Sequence, residues 1–251
     1  MKKSLTPLER TTETNSIAAS AGSEAIDDYL KAIFQLSGRP ERQVSSTEIA
    51  AHLSITAASV TNMLQKLAAQ EPPLVVYEKH YGVKLAKAGK RRALEIIRHH
   101  RLLETFLHQV LDYPWDEVHQ EAERLEHAVS PAFEARLIEK LGEQGTCPHG
   151  NTVLPESPSQ RRKRGLIQLS EAAEKTDYLV SALYERDPKL LVFLYQSGIS
   201  PNTRVRLLAK NYDQTVSIET PMGAITLGRP AAERVWVKRL TAKDSPKDSI
   251  K

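Results

Sequence analysis

Between residues 100 and 127 the chain reads HRLLETFLHQVLDYPWDEVHQEAERLEH, and this stretch concentrates side chains able to bind a cation. His100 and Glu104 are four apart, as are His119 and Glu123, and Glu126 and His127 follow three and four positions later. At helical spacing each set shares one face. Taken singly, such residues are ordinary solvated helix faces. Together they are harder to place, because Glu123, Glu126 and His127 sit within two turns with Arg124 as the only adjacent cation. Close carboxylates repel unless a positive charge lies between them, so the pattern predicts a metal site. It lacks the Glu-x-x-His of di-metal carboxylate bundles, since Arg124 stands where that Glu would be, and it lacks HExxH. Downstream, Cys147 and His149 form a C-x-H pair that could supply one thiolate and one imidazole.

These residues need elements to hold them. Pro114, followed by Asp116 and Glu117, marks a break between two helices carrying the cluster. Upstream, a helix is expected from Ser23 through AIDDYLKAIFQL, with Ile26, Leu30, Ile33 and Phe34 as its apolar stripe and Asp28 off it. Ser45 to Leu53 and Thr56 to Gln70 read as two short helices joined by a tight turn, the second rich in Ser, Thr and Asn. Thr56, Ala57, Ala58, Ser59, Thr61, Asn62, Gln65 and Lys66 are the candidate base- and backbone-reading residues, Asn being able to pair bidentately with adenine. LVVYEKHYGVKL reads as a hairpin, which makes the unit a winged helix-turn-helix. Lys79 and Lys84, with Lys87, Lys90, Arg91 and Arg92 beyond, have the sign needed to meet phosphates.

The remainder divides by composition. Residues 1–22 are expected to be a flexible arm, 23–92 the DNA-binding domain, 93–149 a helical dimerisation and metal domain, and 150–164 a linker. Six short β-rich runs from Leu166, interrupted by one helical stretch after Asp187, predict a small all-β barrel over 165–240, with 241–251 a disordered tail. The single cysteine among 251 residues excludes a disulfide framework. No apolar run reaches membrane-spanning length and no signal peptide is evident, so a soluble cytoplasmic protein is expected, with no membrane partner. The net charge of +4 is mild support for a polyanionic partner.

In this order of parts, HRLLE at 100–104 and HQEAERLEH at 119–127 resemble the two metal-domain signatures of the diphtheria toxin repressor family, in its longer manganese- and iron-responsive form. The resemblance covers about residues 23–240 and implies a mainly α N-terminal part, winged helix plus dimerisation domain, followed by an SH3-like barrel. It implies an activating metal site of Asp28, His100, Glu123, Glu126 and His127. A second site would hold Glu104, Cys147, His149 and Asp187, with His119 as a further candidate. Lys31 departs from the glutamate of the shorter manganese regulators, which puts a binuclear site of their kind in doubt. Asp28 and Glu123 replace a thioether and a thiolate of the iron-responsive branch, and hard oxygen donors suit Mn(II), with Fe(II) as the alternative.

The expected function is a metal-activated, dimeric repressor of metal-uptake genes that reads a palindromic operator in double-stranded DNA. Two other readings compete with it. One is a metal-independent winged-helix regulator with a structural metal site. The other is a metal-dependent hydrolase using Glu104 or Glu126 as base, for which no nucleophile or oxyanion motif is evident.

Overall fold

The computed structural model describes residues 7–37, 42–142, 145–185 and 187–241, with side chains left out for 7–21 and 188. The chain divides into two compact units, residues 1–97 and 98–251, with the division inside one long helix.

In the first unit, α1 (Pro7–Leu36) starts well before the expected Ser23. Most of the proposed arm is therefore helical, and residues 1–6 lie outside the described residues. Pro7 suits a first helical turn, but 7–22 carry no apolar stripe, so periodicity gives no signal there. α2 (Ser46–Leu53) is closed by a capping box between Ser45 and Glu48. It ends at Ser54, whose left-handed φ of 56° turns the chain into α3 (Ala57–Ala68), capped by Thr56. The hairpin of β1 (Val75–Glu78) and β2 (Gly82–Leu85) pairs antiparallel, and Val44 bridges Val83 beside it. Gly82, at φ 112°, is required there, because a Cβ would stand 2.6 Å from the Val44 carbonyl oxygen. Leu30, Ile33, Ile49, Val60, Leu64, Leu67, Val83 and Ala93 form the core.

α4 (Lys87–Leu111) runs from this unit into the second. α5 (Val118–Leu125) follows a turn in which the Pro114 carbonyl accepts from Glu117 and Val118. Glu126 to Ala128 form a single 3-10 turn before α6 (Pro131–Leu141), capped by Ser130. Glu126 and His127 thus leave the helix that carries Glu123, a correction to the single helix face expected from spacing. The tighter turn precedes Ser130-Pro131, and a residue before proline disfavours the helical conformation. Leu102, Leu103, Leu107, Val118, Ala122, Leu137 and Val153 pack together here. Val110, Leu111, Leu125 and Phe133 remain exposed.

Within the stretch expected as linker lies α7 (Pro158–Lys163), closed by a Ser157–Gln160 capping box. All six β-rich runs become strands: β3 (Leu166–Gln168), β4 (Thr176–Leu183), β5 (Arg204–Lys210), β6 (Val216–Thr220), β7 (Gly223–Leu227) and β8 (Val235–Arg239). α8 (Pro188–Gln196) and α9 (Arg229–Ala232) interrupt them. The sheet is antiparallel in the order β3-β8-β4-β5-β6-β7. Among the described residues β3 and β7 are not paired, so the expected barrel is not closed. Apolar residues from five of the strands and from α8 meet in its core, including Tyr178, Val180, Leu191, Leu194, Val205, Ile218 and Val237. Among the described residues no helix is long and apolar enough to cross a membrane.

Gly89 in α4 has no room for a side chain, since a Cβ would lie 1.9 Å from the Leu74 carbonyl oxygen. Gly89→Ala should destabilise the first unit by at least about 2 kcal/mol, through forced backbone displacement. Urea denaturation would check this, and an unchanged midpoint would refute it.

Candidate metal centre and nucleic-acid face

α4 places His100 and Glu104 one turn apart on its buried side, where His100 is 1% and Glu104 0% exposed. A wholly buried carboxylate must be compensated. Glu104 is met by three imidazoles: His100 Nε2 at 3.0 Å, His119 Nδ1 at 3.2 Å and His149 Nδ1 at 3.3 Å. Burial alone would raise its pKa, but the His100 and His149 rings draw it well below the usual carboxylate range. His100 Nδ1 is 2.5 Å from Glu126 Oε2 and 3.5 Å from Glu123 Oε2. His119 Nε2 lies 4.0 Å from Glu123, and His127 Nε2 3.7 Å from Glu126 Oε1. His100 Nε2 and His119 Nδ1 also approach to 2.9 Å, so one of these nitrogens must carry a proton or both must face a cation.

The structure thus brings His100, Glu104, His119, Glu123, Glu126 and His127 into one connected group. Division into an activating set and a second set is less sharp than expected, because His100 touches residues of both. His119, a marginal candidate from sequence, stands at the middle.

The Cys147–Asn151 loop closes the group from the other side. Gly150, at φ 80°, lies so close to β4 that a Cβ would be 2.1 Å from the Ser181 carbonyl oxygen. This seats His149, fully buried, with its ring 4.9 Å from that of Trp115. Cys147 Sγ is 4.0 Å from His149 Nδ1 and 3.9 Å from Glu185 Oε2. Burial, then the charges of Glu104 and Glu185, push the Cys147 thiol well up. It is a thiol unless a cation displaces its proton. Burial would depress His149, but Glu104 more than offsets this and raises it. Its Nε2 is buried without a hydrogen-bond partner.

Glu185 was missed by the sequence reading, which expected Asp187 in this position. Donor atoms of Glu104, Cys147, His149 and Glu185 lie within 4.8 Å of one another, and all four residues are buried. Asp187 is used otherwise: its side chain caps α8 by accepting from Leu190 N at 3.0 Å and pairs with Arg234 at 2.7 Å. A capping role was legible from Asp-Pro at a helix start. The signal for Glu185 was its alternation with inward-facing Leu183 at the end of β4. Burial would raise the Glu185 carboxyl, but the Arg101 guanidinium, 3.2 Å away, brings it below its ordinary value.

The first unit holds the remaining candidates. Asp28 is half-buried on α1. Its neighbour Asp27 is taken by Arg92 at 2.5 Å, which removes Arg92 from the expected phosphate-contacting set. Thr56, Ala57, Ala58, Ser59, Asn62, Gln65 and Lys66 are exposed along α3, whose Val60, Leu64 and Leu67 are buried. Thr56 accepts from Ser59 N, and Thr61 is half-buried with its hydroxyl on the Ala57 carbonyl at 3.0 Å. These two are tied to the helix backbone, whereas Asn62 and Gln65 present exposed amides. Lys79 is exposed at the hairpin tip beside Tyr81, and Lys84 is half-buried.

Comparison with known proteins gives a consistent result. Residues 23–83 match the family described as iron dependent repressor, N-terminal DNA binding domain, and 86–155 its metal binding and dimerisation domain. Residues 167–239 match the FeoA domain. The diphtheria toxin repressor of Corynebacterium jeikeium is 33% identical over 236 residues, covering 84% of this chain and 95% of that protein. The iron-dependent repressor IdeR of Mycobacterium tuberculosis is 30% identical over 218 residues, covering 82% and 89%. A solved structure titled manganese-dependent transcriptional repressor complex with manganese is 36% identical, with a TM-score of 0.72, covering 85% of this chain and 99% of that one.

Because Asp187 caps a helix, Asp187→Ala should cost about 1 kcal/mol of stability. Chemical denaturation of the metal-free protein would show the lowered midpoint, and no change would remove the capping assignment.

Proposed function

The chain belongs to the iron-dependent repressor family of metal-dependent, DNA-binding repressors, and from that premise we propose that its His and carboxylate cluster is the sensor for Mn(II), with Fe(II) the alternative. The observation that carries the reading is the buried Glu104 hub. Three imidazoles surround it, two further carboxylates, Glu123 and Glu126, lie against His100, and His149 offers a buried nitrogen without a partner. Such a donor set fits a divalent cation better than a hydrogen-bonded core, because carboxylates outnumber the fixed positive charges beside them.

The activating site in this reading comprises His100, Glu123, Glu126 and His127, with Asp28 added on the strength of the family resemblance. The second comprises Glu104, Cys147, His149 and Glu185, with His119 beside it. Oxygen and imidazole donors dominate the first set, which suits Mn(II), while the thiolate of the second shifts it towards later metals. A bound ion supplies positive charge and directional bonds between ligands from different elements. Glu123 and Glu126 repel one another without it, so the ligated state is the one in which these acids can stand together. A cation that binds that state better shifts the population towards DNA binding. The exposed face of α3 then reads base edges in the major groove, with Asn62 and Gln65 as the amide readers and Lys66, Lys79 and Lys84 on phosphates. The domain match to a dimerisation domain and the exposed Val110, Leu111, Leu125 and Phe133 support a homodimer on a palindromic operator in the cytoplasm. The reading is of a regulator of metal-uptake genes and not of an enzyme.

Selection from random duplex DNA with chelator-stripped protein, at one salt concentration, tests this directly. A palindrome should be recovered with Mn(II) or anaerobic Fe(II) and not in chelator. Equal recovery in chelator would leave the metal a structural role. On the recovered operator, Asp28→Ala and Glu126→Gln should abolish the metal dependence of binding, and retention by Asp28→Ala would remove Asp28 from the site. Lys79→Ala should weaken binding evenly across sequences and reduce the salt slope by about 1, measured by fluorescence anisotropy.

A further inference from the structure

The basic run Arg161 to Arg164 resembles a polyanion patch in sequence, but its arginines are engaged within the fold. Arg162 pairs with Glu171 and Arg164 with Glu156 at 2.7 Å. Arg162 also lies 5.8 Å from the ring centroid of Trp236, and Arg161 differs from both in reaching Asn151. From α7 its Nη2 donates to Asn151 Oδ1 at 2.6 Å, and its guanidinium lies 5.2 Å from the ring centroid of Trp236 on β8. Asn151 in turn donates from Nδ2 to Glu185 Oε2 at 2.7 Å and to the Leu183 carbonyl at 2.9 Å. Glu185 is thereby held from two sides, by Asn151 on Oε2 and by Arg101 on Oε1.

The direction of the asparagine is set by this chain. Its amide oxygen accepts from Arg161, so its amide nitrogen must face Glu185. The Leu183 carbonyl and Glu185 already call for the nitrogen end, and Arg161 anchors the oxygen end, so that the amide plane is held from both sides and cannot swing away from the carboxylate. A planar guanidinium stacked on an indole is itself held in orientation, which a lysine would not be. Trp236 packs against Leu166 and Ala182, so the anchor is rooted in the sheet.

We infer that Arg161 is a positioning residue of the second ligand cluster, orienting Asn151 and through it Glu185 for a divalent cation. This rests on the reading of Glu104, Cys147, His149 and Glu185 as a metal site. The linker helix α7 is then part of the sensor: occupancy of the cluster and seating of α7 on Trp236 favour each other.

The test is Mn(II) titration of the full-length, chelator-stripped protein, with free Mn(II) read by electron paramagnetic resonance. Arg161→Gln should weaken the affected site about tenfold or more, the range found for groups that orient metal ligands. In a Glu185→Gln background it should cause no further loss. Arg162→Gln, which removes a guanidinium from the same Trp236 ring but touches neither Asn151 nor Glu185, should bind as the parent does. Arg161→Lys should recover only part of the affinity, and it carries the same test if the Gln variant does not fold by circular dichroism. Unchanged binding by Arg161→Gln, additive losses with Glu185→Gln, or an equal loss in Arg162→Gln would overturn the inference. Parental binding by Glu185→Gln would instead overturn the site assignment on which it rests.

Discussion

The fully buried carboxylate of Glu104 sets the conditions for the imidazoles around it in the second unit. Its charge cannot be left in the interior without partners, and the partners come from distant parts of the chain: His100 on the same helix, His119 on α5 and His149 on the loop before α7. Each of these is a neutral ring unless protonated. The group is consequently compensated either by protons on its imidazoles or by a metal ion, and these alternatives compete for the same lone pairs. That competition is what makes a buried acid useful in a sensor, whereas a lysine or arginine in the middle would have satisfied Glu104 permanently. The chain does place an arginine nearby, but Arg101 is directed to Glu185 and to the Thr152 carbonyl.

The sequence made the fold legible wherever local chemistry and burial agree. Ser45, Thr56 and Ser130 each cap a helix with a side-chain oxygen, and the alternation of β-rich runs recovers all six strands of the sheet, whereas the Ser157 cap and α7 fell within the expected linker. The N-terminal part of the first helix escaped because residues 7–22 are helical without an apolar stripe, and backbone propensity alone is a weak signal. The open edges of the sheet also escaped, since pairing of the terminal strands depends on strand length and twist and not on residue pattern.

For the site, the residues within one or two turns of each other were readable, and those joined only through the tertiary fold were not. His100, Glu104, His119, Glu123, Glu126 and His127 stand together as their spacing suggested. The carboxylate supplied just after β4 could not be chosen by spacing, because Glu185 and Asp187 have the same chemistry and differ by two positions. What separates them is the demand for a cap at the start of α8, met by Asp187, and the continuation of the inward face of β4, which delivers Glu185 to Cys147. The family resemblance implied Asp187 as a ligand, and the structure places Asp187 at the cap of α8 and Glu185 beside Cys147.

The same logic explains why a positively charged sequence need not mean a uniformly positive nucleic-acid surface. Arg92 is spent on Asp27, Arg161 on Asn151 and Trp236, and Arg162 and Arg164 on nearby glutamates. Lysines at the hairpin and on α3 are left at the surface, where a compact, hydrated ammonium on a flexible stem can follow a phosphate. Arg101 and Arg161, with planar forks suited to fixed geometry, serve the fold around Glu185 and Asn151, whereas Arg162 and Arg164 make their pairs at the surface. In the proposed reading, Arg101 and Arg161 support the sensor while Lys66 and Lys79 are left to meet DNA.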